Sequence, residues 1–423
     1  MHLRTETPQI RRSDSGGSRI RGMIKGHMPI VLITLAACLI FWVFVFSDSG
    51  WGPILTPLAS QLHIPLATTG LFYVIWSMGY LPGALVGGTM LDRYGPRRIL
   101  FIAALIVLCG LSSIYLGLLL PQLAPTGILI AIAGLAGIGG GIIDASTNGL
   151  ISTVFAQRRG TALNLFNLLY PLGGILIALI DAGLLTIFHN DPGPPFVFTM
   201  CFIVVALFSL LGVPKTYTME HKEALPSDNI TVQPPPASLL ATLVPVITVM
   251  MFTSGISSSV RAWTPAYLHV AFGQTPAVAA ALSSITWALA VLSRLGAAAL
   301  ILRIGAWRLV MLGILISLAG FIAMMLSPNV IIATLAIALT GVGLSPVFAT
   351  CLAIGSERAG RSFGSVAGIL LFVSGISTVF CGWAFGFLLN TFWPFWSVLF
   401  CFVFMICGGL MALRLRPTLR STP

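Results

Sequence analysis

The chain has 423 residues, is 57% hydrophobic and is only 8% charged, where soluble domains carry about a quarter charged residues. That composition excludes a soluble enzyme, and apolar runs this long and this many exclude a β-barrel. The net charge of +11 does not indicate nucleic acid, because the basic residues flank apolar runs, where they face anionic lipid and set topology.

Residues 1–28 are polar and basic, with no small-residue cleavage site after the first apolar run, and read as a cytoplasmic tail rather than a signal peptide. Twelve apolar runs follow, each near the roughly 20 residues that cross a bilayer. Span 1 (29–58) carries Ser47-Asp48-Ser49-Gly50-Trp51 and then Thr56-Pro57. Span 2 (68–91) runs into Asp92-Arg93-Tyr94-Gly95-Pro96-Arg97-Arg98, four charges within seven residues. Span 3 (98–119) is featureless, whereas span 4 (127–154) holds Gly139-Gly140-Gly141, Asp144 and, one turn on, Asn148. Span 5 (160–187) has Asn164, Asn167 and Tyr170 three apart, an expected single helix face, with Asp181 nearer its far end. Span 6 (195–213) closes the first bundle, expected over 29–213.

The gap 214–237, with Pro226 and Pro234-Pro235-Pro236, reads as a flexible cytoplasmic linker. A second bundle is expected over 238–413, followed by a cytoplasmic tail over 414–423. Span 7 (238–268) contains Arg261, Trp263, Thr264-Pro265 and Tyr267. Span 8 (277–301) contains Trp287 and Arg294 and leads into Leu302-Arg303-Ile304-Gly305-Ala306-Trp307-Arg308. Spans 9 to 12 follow at 307–326, 329–353, 363–389 and 394–413. The expected fold is an all-α membrane protein of twelve transmembrane helices in two pseudo-symmetric six-helix bundles.

Twenty of the 22 Lys and Arg residues fall in the tails and in alternate gaps, and the remaining gaps carry none. The positive-inside rule then places both termini and the central linker in the cytoplasm. The exceptions, Arg261 and Arg294, lie inside spans. The halves also echo each other at offsets of about 200 to 210 residues, in order. Thr56-Pro57 matches Thr264-Pro265, Gly137-Ile138-Gly139 matches Gly341-Val342-Gly343, and Arg158-Arg159-Gly160 matches Arg358-Ala359-Gly360. The seven cysteines are scattered singly through apolar spans, with no CxxC or Cys/His cluster, so neither a disulfide framework nor a metal site is expected.

Ionisable groups inside spans are expensive and are functional candidates by default. Asp144 lies about fourteen residues before Arg158 and therefore roughly 20 Å from the cytoplasmic end, near mid-bilayer, where a lone carboxyl suits a proton carrier. Asp48 is a second candidate for proton coupling. Arg261 is read as pairing with Asp48, binding an anionic solute directly, or snorkelling to the interface. Candidate solute ligands are Asn148, Asn164, Asn167, Tyr170, Arg261, Trp263 and Trp287, and Arg294 is assigned to a gate.

The segment Gly88 to Arg98, G-T-M-L-D-R-Y-G-P-R-R, resembles the loop signature G-x-x-x-D-R-x-G-R-R of the major facilitator superfamily, with Pro96 as one extra residue. The resemblance covers nearly the whole chain. It implies that Asp92, Arg93, Gly95, Arg97 and Arg98 latch the cytoplasmic side, with Arg303 in a weaker second copy where Leu302 replaces the acid. Acids in spans 1 and 4, the latter one turn before an asparagine, are similar to the fucose–proton symporter branch, which implies proton binding at Asp48 and Asp144. The expected function is proton-coupled transport of a small polar solute, a sugar among the candidates, across the inner membrane by alternating access. Uptake of an organic anion or carboxylate, and proton-driven efflux of a drug or metabolite, stay open. Tyr170-Pro171-Leu172-Gly173-Gly174 departs from the glycine-rich pattern of drug antiporters. No enzyme activity, cofactor or nucleic-acid partner is expected, and the transporter is read as a monomer in the lipid bilayer.

Overall fold

The computed structural model describes residues 15–122, 124–155, 159–211, 237–359 and 363–414. The expected linker 214–237, apart from its last residue, half of the N-terminal tail and all but the first residue of the C-terminal tail therefore lie outside the described residues. Fifteen helices run through the described residues. They are α1 (Ser15–Ser49), α2 (Trp51–Leu62), α3 (Leu66–Tyr94), α4 (Pro96–Leu119), α5 (Thr126–Val154), α6 (Arg159–Asn167), α7 (Leu169–Ile187) and α8 (Gly193–Leu211). The second half comprises α9 (Ala237–Phe272), α10 (Pro276–Ile304), α11 (Ala306–Met325), α12 (Val330–Leu344), α13 (Val347–Ala359), α14 (Phe363–Thr391) and α15 (Pro394–Leu413). Twelve stretches among them are long and apolar enough to cross a membrane. Helix α1 begins at Ser15, inside the segment read as a tail.

Three spans read as continuous are broken. The first stops at Ser49 and restarts at Trp51, the fifth turns at Leu168, and the tenth turns at Ser345-Pro346. Each break lies beside a proline (Pro53, Pro171, Pro346), which cannot donate to the carbonyl four residues earlier. Hydropathy does not register a missing hydrogen bond, so the sequence reads straight through.

Buried apolar side chains form two clusters. One draws on residues from Ile33 to Leu210; the other runs from Leu243 to Ala412 and takes in Leu55 of α2. In lipid, helices associate through close packing of small residues rather than through exclusion of water. Gly79 and Gly83 of α3 press on the Gly134 and Ile138 carbonyls of α5, leaving no room for a Cβ. The internal repeat is visible in the same terms. Gly139 of α5 packs on Ala103 and Val107 of α4, and its counterpart Gly343 of α12 packs on Gly313 and Ser317 of α11.

The paired turns after spans 2 and 8 agree still more closely. Gly95 has φ 79° and ψ 158°, and Gly305 has φ 82° and ψ 159°. Each donates its N–H over 2.9 Å, to Leu91 and Ile301 respectively, and each carbonyl accepts over 3.2 Å from Ile99 or Leu309. Only glycine adopts this backbone region without strain. The sequence match at an offset of 210 is therefore one backbone geometry used twice.

Between the halves, the side opposite these basic turns is sealed. Leu55 and Leu58 of α2 are fully buried and Trp51 is 1% exposed. A Cβ on Gly52 would lie 2.9 Å from the Ala262 carbonyl of α9. The Trp263 ring fills the space beside Gly70 of α3 and Gly386 of α14, where any Cβ would collide with it.

Gly95→Ala and Gly305→Ala should each cost about 1–3 kcal/mol from backbone strain alone. Thermal unfolding in detergent should show both variants melting earlier than the parent. Gly127→Ala, at an open helical position with nothing within 4 Å, should melt no earlier; equal melting of all three would contradict the strain.

Candidate functional site

The carbonyls freed by proline organise the centre of the molecule. A polar backbone group in hydrocarbon must find a partner within the protein. Pro171 frees the Asn167 carbonyl, which accepts from Arg294 Nη1 of α10 over 3.5 Å and so links the two halves. Pro346 frees the Val342 carbonyl, which accepts from Ser293 Oγ over 2.6 Å. Arg294 Nε also donates to Ser345 Oγ over 3.0 Å, and that hydroxyl donates to the Ala290 carbonyl. Two neighbouring residues of α10 thus hold the kinks of the fifth and tenth spans.

On the first half, each candidate acid is held by a tyrosine. Tyr170 donates to Asp48 Oδ2 over 2.5 Å, and Tyr80 donates to Asp144 Oδ2 over 2.5 Å. Asn148 donates to Asp144 Oδ1 over 2.8 Å and accepts from Asn167 Nδ2 over 3.0 Å. Exposure rises along this chain of groups towards the basic side, from half-buried Asp144 and Asn148 to exposed Asn167. The Phe44 ring separates the two pairs, 5.6 Å from Tyr80 and 5.9 Å from Tyr170 by ring centroids. Short O–H to carboxylate bonds of this kind are among the stronger ones in proteins.

On the second half, Arg261 donates to the hydroxyls of Ser257 and Ser258 on its own helix. Its guanidinium lies 5.4 Å from the Trp287 ring centroid, a cation–π distance. Trp287 in turn meets the edge of Tyr170 at 5.6 Å. Arg261 does not pair with Asp48: Tyr170 occupies Oδ2 of that carboxylate, and the Trp287 ring meets both Tyr170 and the guanidinium. A small cavity at this junction is lined by Arg261, Arg294, Ser257, Thr286, Trp287 and Ser345, among others.

The structure thus gathers Asp48, Asp144, Asn148, Asn167, Tyr170, Arg261, Trp287 and Arg294 around one region. Trp263 is not part of it: the ring is 1% exposed and belongs to the seal. The expected single face of Asn164, Asn167 and Tyr170 is interrupted, because the turn at Leu168 places Tyr170 on a separate helix. The Asn164 side chain lies outside the described residues. Trp287 is 6% exposed with Arg261 over its ring, so its stacking partner here is a guanidinium. Asp181, set apart from the cluster, is 1% exposed, and neither of its carboxyl oxygens has a hydrogen-bond partner among the described residues.

Of the expected latch, the Asp92 side chain lies outside the described set. Arg93, Arg98 and Arg303 are exposed, Arg97 is half-buried, and Arg93 sits 5.4 Å from the Tyr94 ring centroid. Tyr73, Tyr80, Ser257 and Ser258 were not picked out from the sequence. A signal existed for two of them: Tyr73 and Tyr80 stand seven apart, hence on one helix face, in an otherwise apolar span. Among the described residues no group of three His, Cys, Asp or Glu could hold a metal.

A family model for the Major Facilitator Superfamily matches residues 37–380. The sodium-dependent glucose transporter 1 of Danio rerio is 25% identical over 160 residues, 38% of this chain and 26% of that protein. Matches to the curated relatives span about a quarter of those proteins' length. Among solved structures, inward-open xylose transporter XylE from E. coli is similar with a TM-score of 0.74 at 17% identity, over 92% of this chain and 96% of that one. A D-xylose-proton symporter gives 0.75 at 18%, over 92% and 97%. Twelve spans, two bundles with matching turns and a family match over most of the length agree: the chain belongs to the Major Facilitator Superfamily.

Proposed function

We propose that the protein is a secondary active transporter that moves a small polar solute of sugar size across the inner membrane by proton-coupled alternating access. The observation that carries this reading is the pair of tyrosine-bonded carboxyls, Asp48 and Asp144, beside the junction of the two halves. A carboxyl there changes the local charge by one unit when it takes a proton. In a low dielectric that is enough to bias two arrangements of the halves. The arrangement of acids in spans 1 and 4 supports the fucose–proton symporter branch in particular. Likeness to a D-xylose-proton symporter and a sodium-dependent glucose transporter supports a sugar-like solute.

The positive-inside rule assigns the basic turns, both termini and the linker to the cytoplasm. The sealed side is then the outer one, and the path from Asp144 through Asn148 to exposed Asn167 leads inwards. Asn148, Asn167, Tyr170 and Arg261 contact the solute in this reading. The turn around Asp92, Gly95, Arg97 and Arg98, with Arg303, closes the inner gate when the halves rock. The ion gradient supplies the energy, so no cofactor and no covalent chemistry are required.

Asp144→Asn should abolish solute-driven proton uptake in proteoliposomes while leaving exchange of solute down its own gradient. Proton uptake equal to the parent's would sink the carrier role. Tyr170→Phe removes a donor to the ionised form of Asp48, a bond worth about 1.5–3 kcal/mol. Losing it changes what holds Asp48, so the pH profile of uptake should differ from the parent's. A profile that stays put would show that Asp48 is not the titrating group.

A further inference from the structure

The cavity at the junction contains two arginines and no acid among its lining residues. Arg261 gives its N–H groups to two serine hydroxyls, and Arg294 gives its own to Ser345 Oγ and the Asn167 carbonyl. These acceptors are all neutral. Each guanidinium has five N–H donors and uses two, so several remain on two cations that line one cavity. A site for a neutral sugar gains nothing from two like charges held together in a low dielectric, where their repulsion is least screened. A carboxylate between them removes that cost and accepts the spare donors in a geometry that suits guanidinium.

The surrounding groups turn this into a charge balance. The titratable and charged side chains facing the junction are Asp48 on span 1, Tyr73 and Tyr80 on span 2, Asp144 on span 4, Tyr170 on span 5, Arg261 on span 7 and Arg294 on span 8. With both aspartates ionised, two positive and two negative charges cancel, and an added anion would leave the region negative. With one aspartate protonated, the region carries one surplus positive charge, which a monoanion neutralises. Asp48 is the acid joined to Arg261 through Tyr170 and Trp287, so a carboxylate on Arg261 competes with Asp48 for the same compensation. Anion and proton therefore favour each other's binding, which is the thermodynamic requirement for symport. Ser257, Thr286 and Ser345 contribute hydroxyls to the lining, whose remaining side chains are mainly apolar, a mixture that suits the hydroxyls and C–H faces of a hydroxylated carbon chain.

We propose that the solute is a polyhydroxylated monocarboxylate, a sugar acid, whose carboxylate is held between Arg261 and Arg294 and whose binding brings one proton onto Asp48. The proposal rests on the transport reading above and specifies its solute and stoichiometry. The test is calorimetry of purified protein with D-glucuronate, D-galacturonate and D-gluconate against D-glucose and D-galactose, with proton uptake followed by a pH indicator in weak buffer. At least one acid should bind, with one proton taken up per molecule, and the neutral sugars should not compete. Arg261→Gln should weaken binding of that acid by about tenfold or more, and Asp48→Asn should bind it without taking up a proton. The measurement on the parent protein needs no variant to fold. Neutral sugars binding as well as the acids, or acids binding without a proton, would overturn the proposal while leaving a polar-solute transporter in place. No binding by either set, together with no uptake of either set by proteoliposomes, would overturn both.

Discussion

A backbone carbonyl inside a bilayer has no water to turn to, and those that proline frees at the centre of this molecule are answered by another part of the chain. Prolines at 171 and 346 break two spans and leave the Asn167 and Val342 carbonyls without their helical partners. Ser293 and Arg294, adjacent on a single helix, supply the missing donors. The same requirement draws Tyr170 to Asp48 and Tyr80 to Asp144, and the serine hydroxyls to Arg261. The centre of the protein is polar because its helices are bent, and it remains stable because the bends share their donors.

That arrangement separates two mechanical roles. Close glycine contacts, such as Gly139 on α4 and Gly343 on α11, weld helices within each half into units that move together. Contacts between halves are different in kind. On the sealed side they are apolar and shape-dependent, as with Trp263 between Gly70 and Gly386. At the centre they are hydrogen bonds and charges, which a proton or a solute can rewrite. A carrier needs this combination: rigid halves, and a junction whose energy depends on what is bound.

Much of the architecture was legible in the sequence, because span length, charge alternation and a repeated Gly turn each have a direct physical cause. Gly95 and Gly305 matched as letters and also match within a few degrees of backbone angle. Asp48, Asp144 and Arg261 stood out because charge in hydrocarbon is conspicuous. Their partners were harder to see. Tyr80 carries no charge to mark it, and nothing in the linear chain says that it meets Asp144, 64 residues away. Trp263, two residues beyond Arg261, was read as a ligand, yet those two helical steps carry it to the other face of the helix and into the seal. Pairing with Asp48 was one of three readings open to Arg261, but Tyr170 reaches the carboxylate instead, and the arginine turns to hydroxyls and an indole ring.

The central claim is that protons at the tyrosine-bonded carboxyls set which side of the junction is open. Spin labels on cysteines at Gly88 and Gly296, where a side chain meets nothing within 4 Å, report the spacing of the two halves towards the basic side by pulsed electron resonance. The account predicts a distance distribution that shifts between two populations as pH is lowered, and that stops responding to pH when Asp48 and Asp144 are both replaced by Asn. A distribution in the double variant that tracks pH as the parent's does would contradict it.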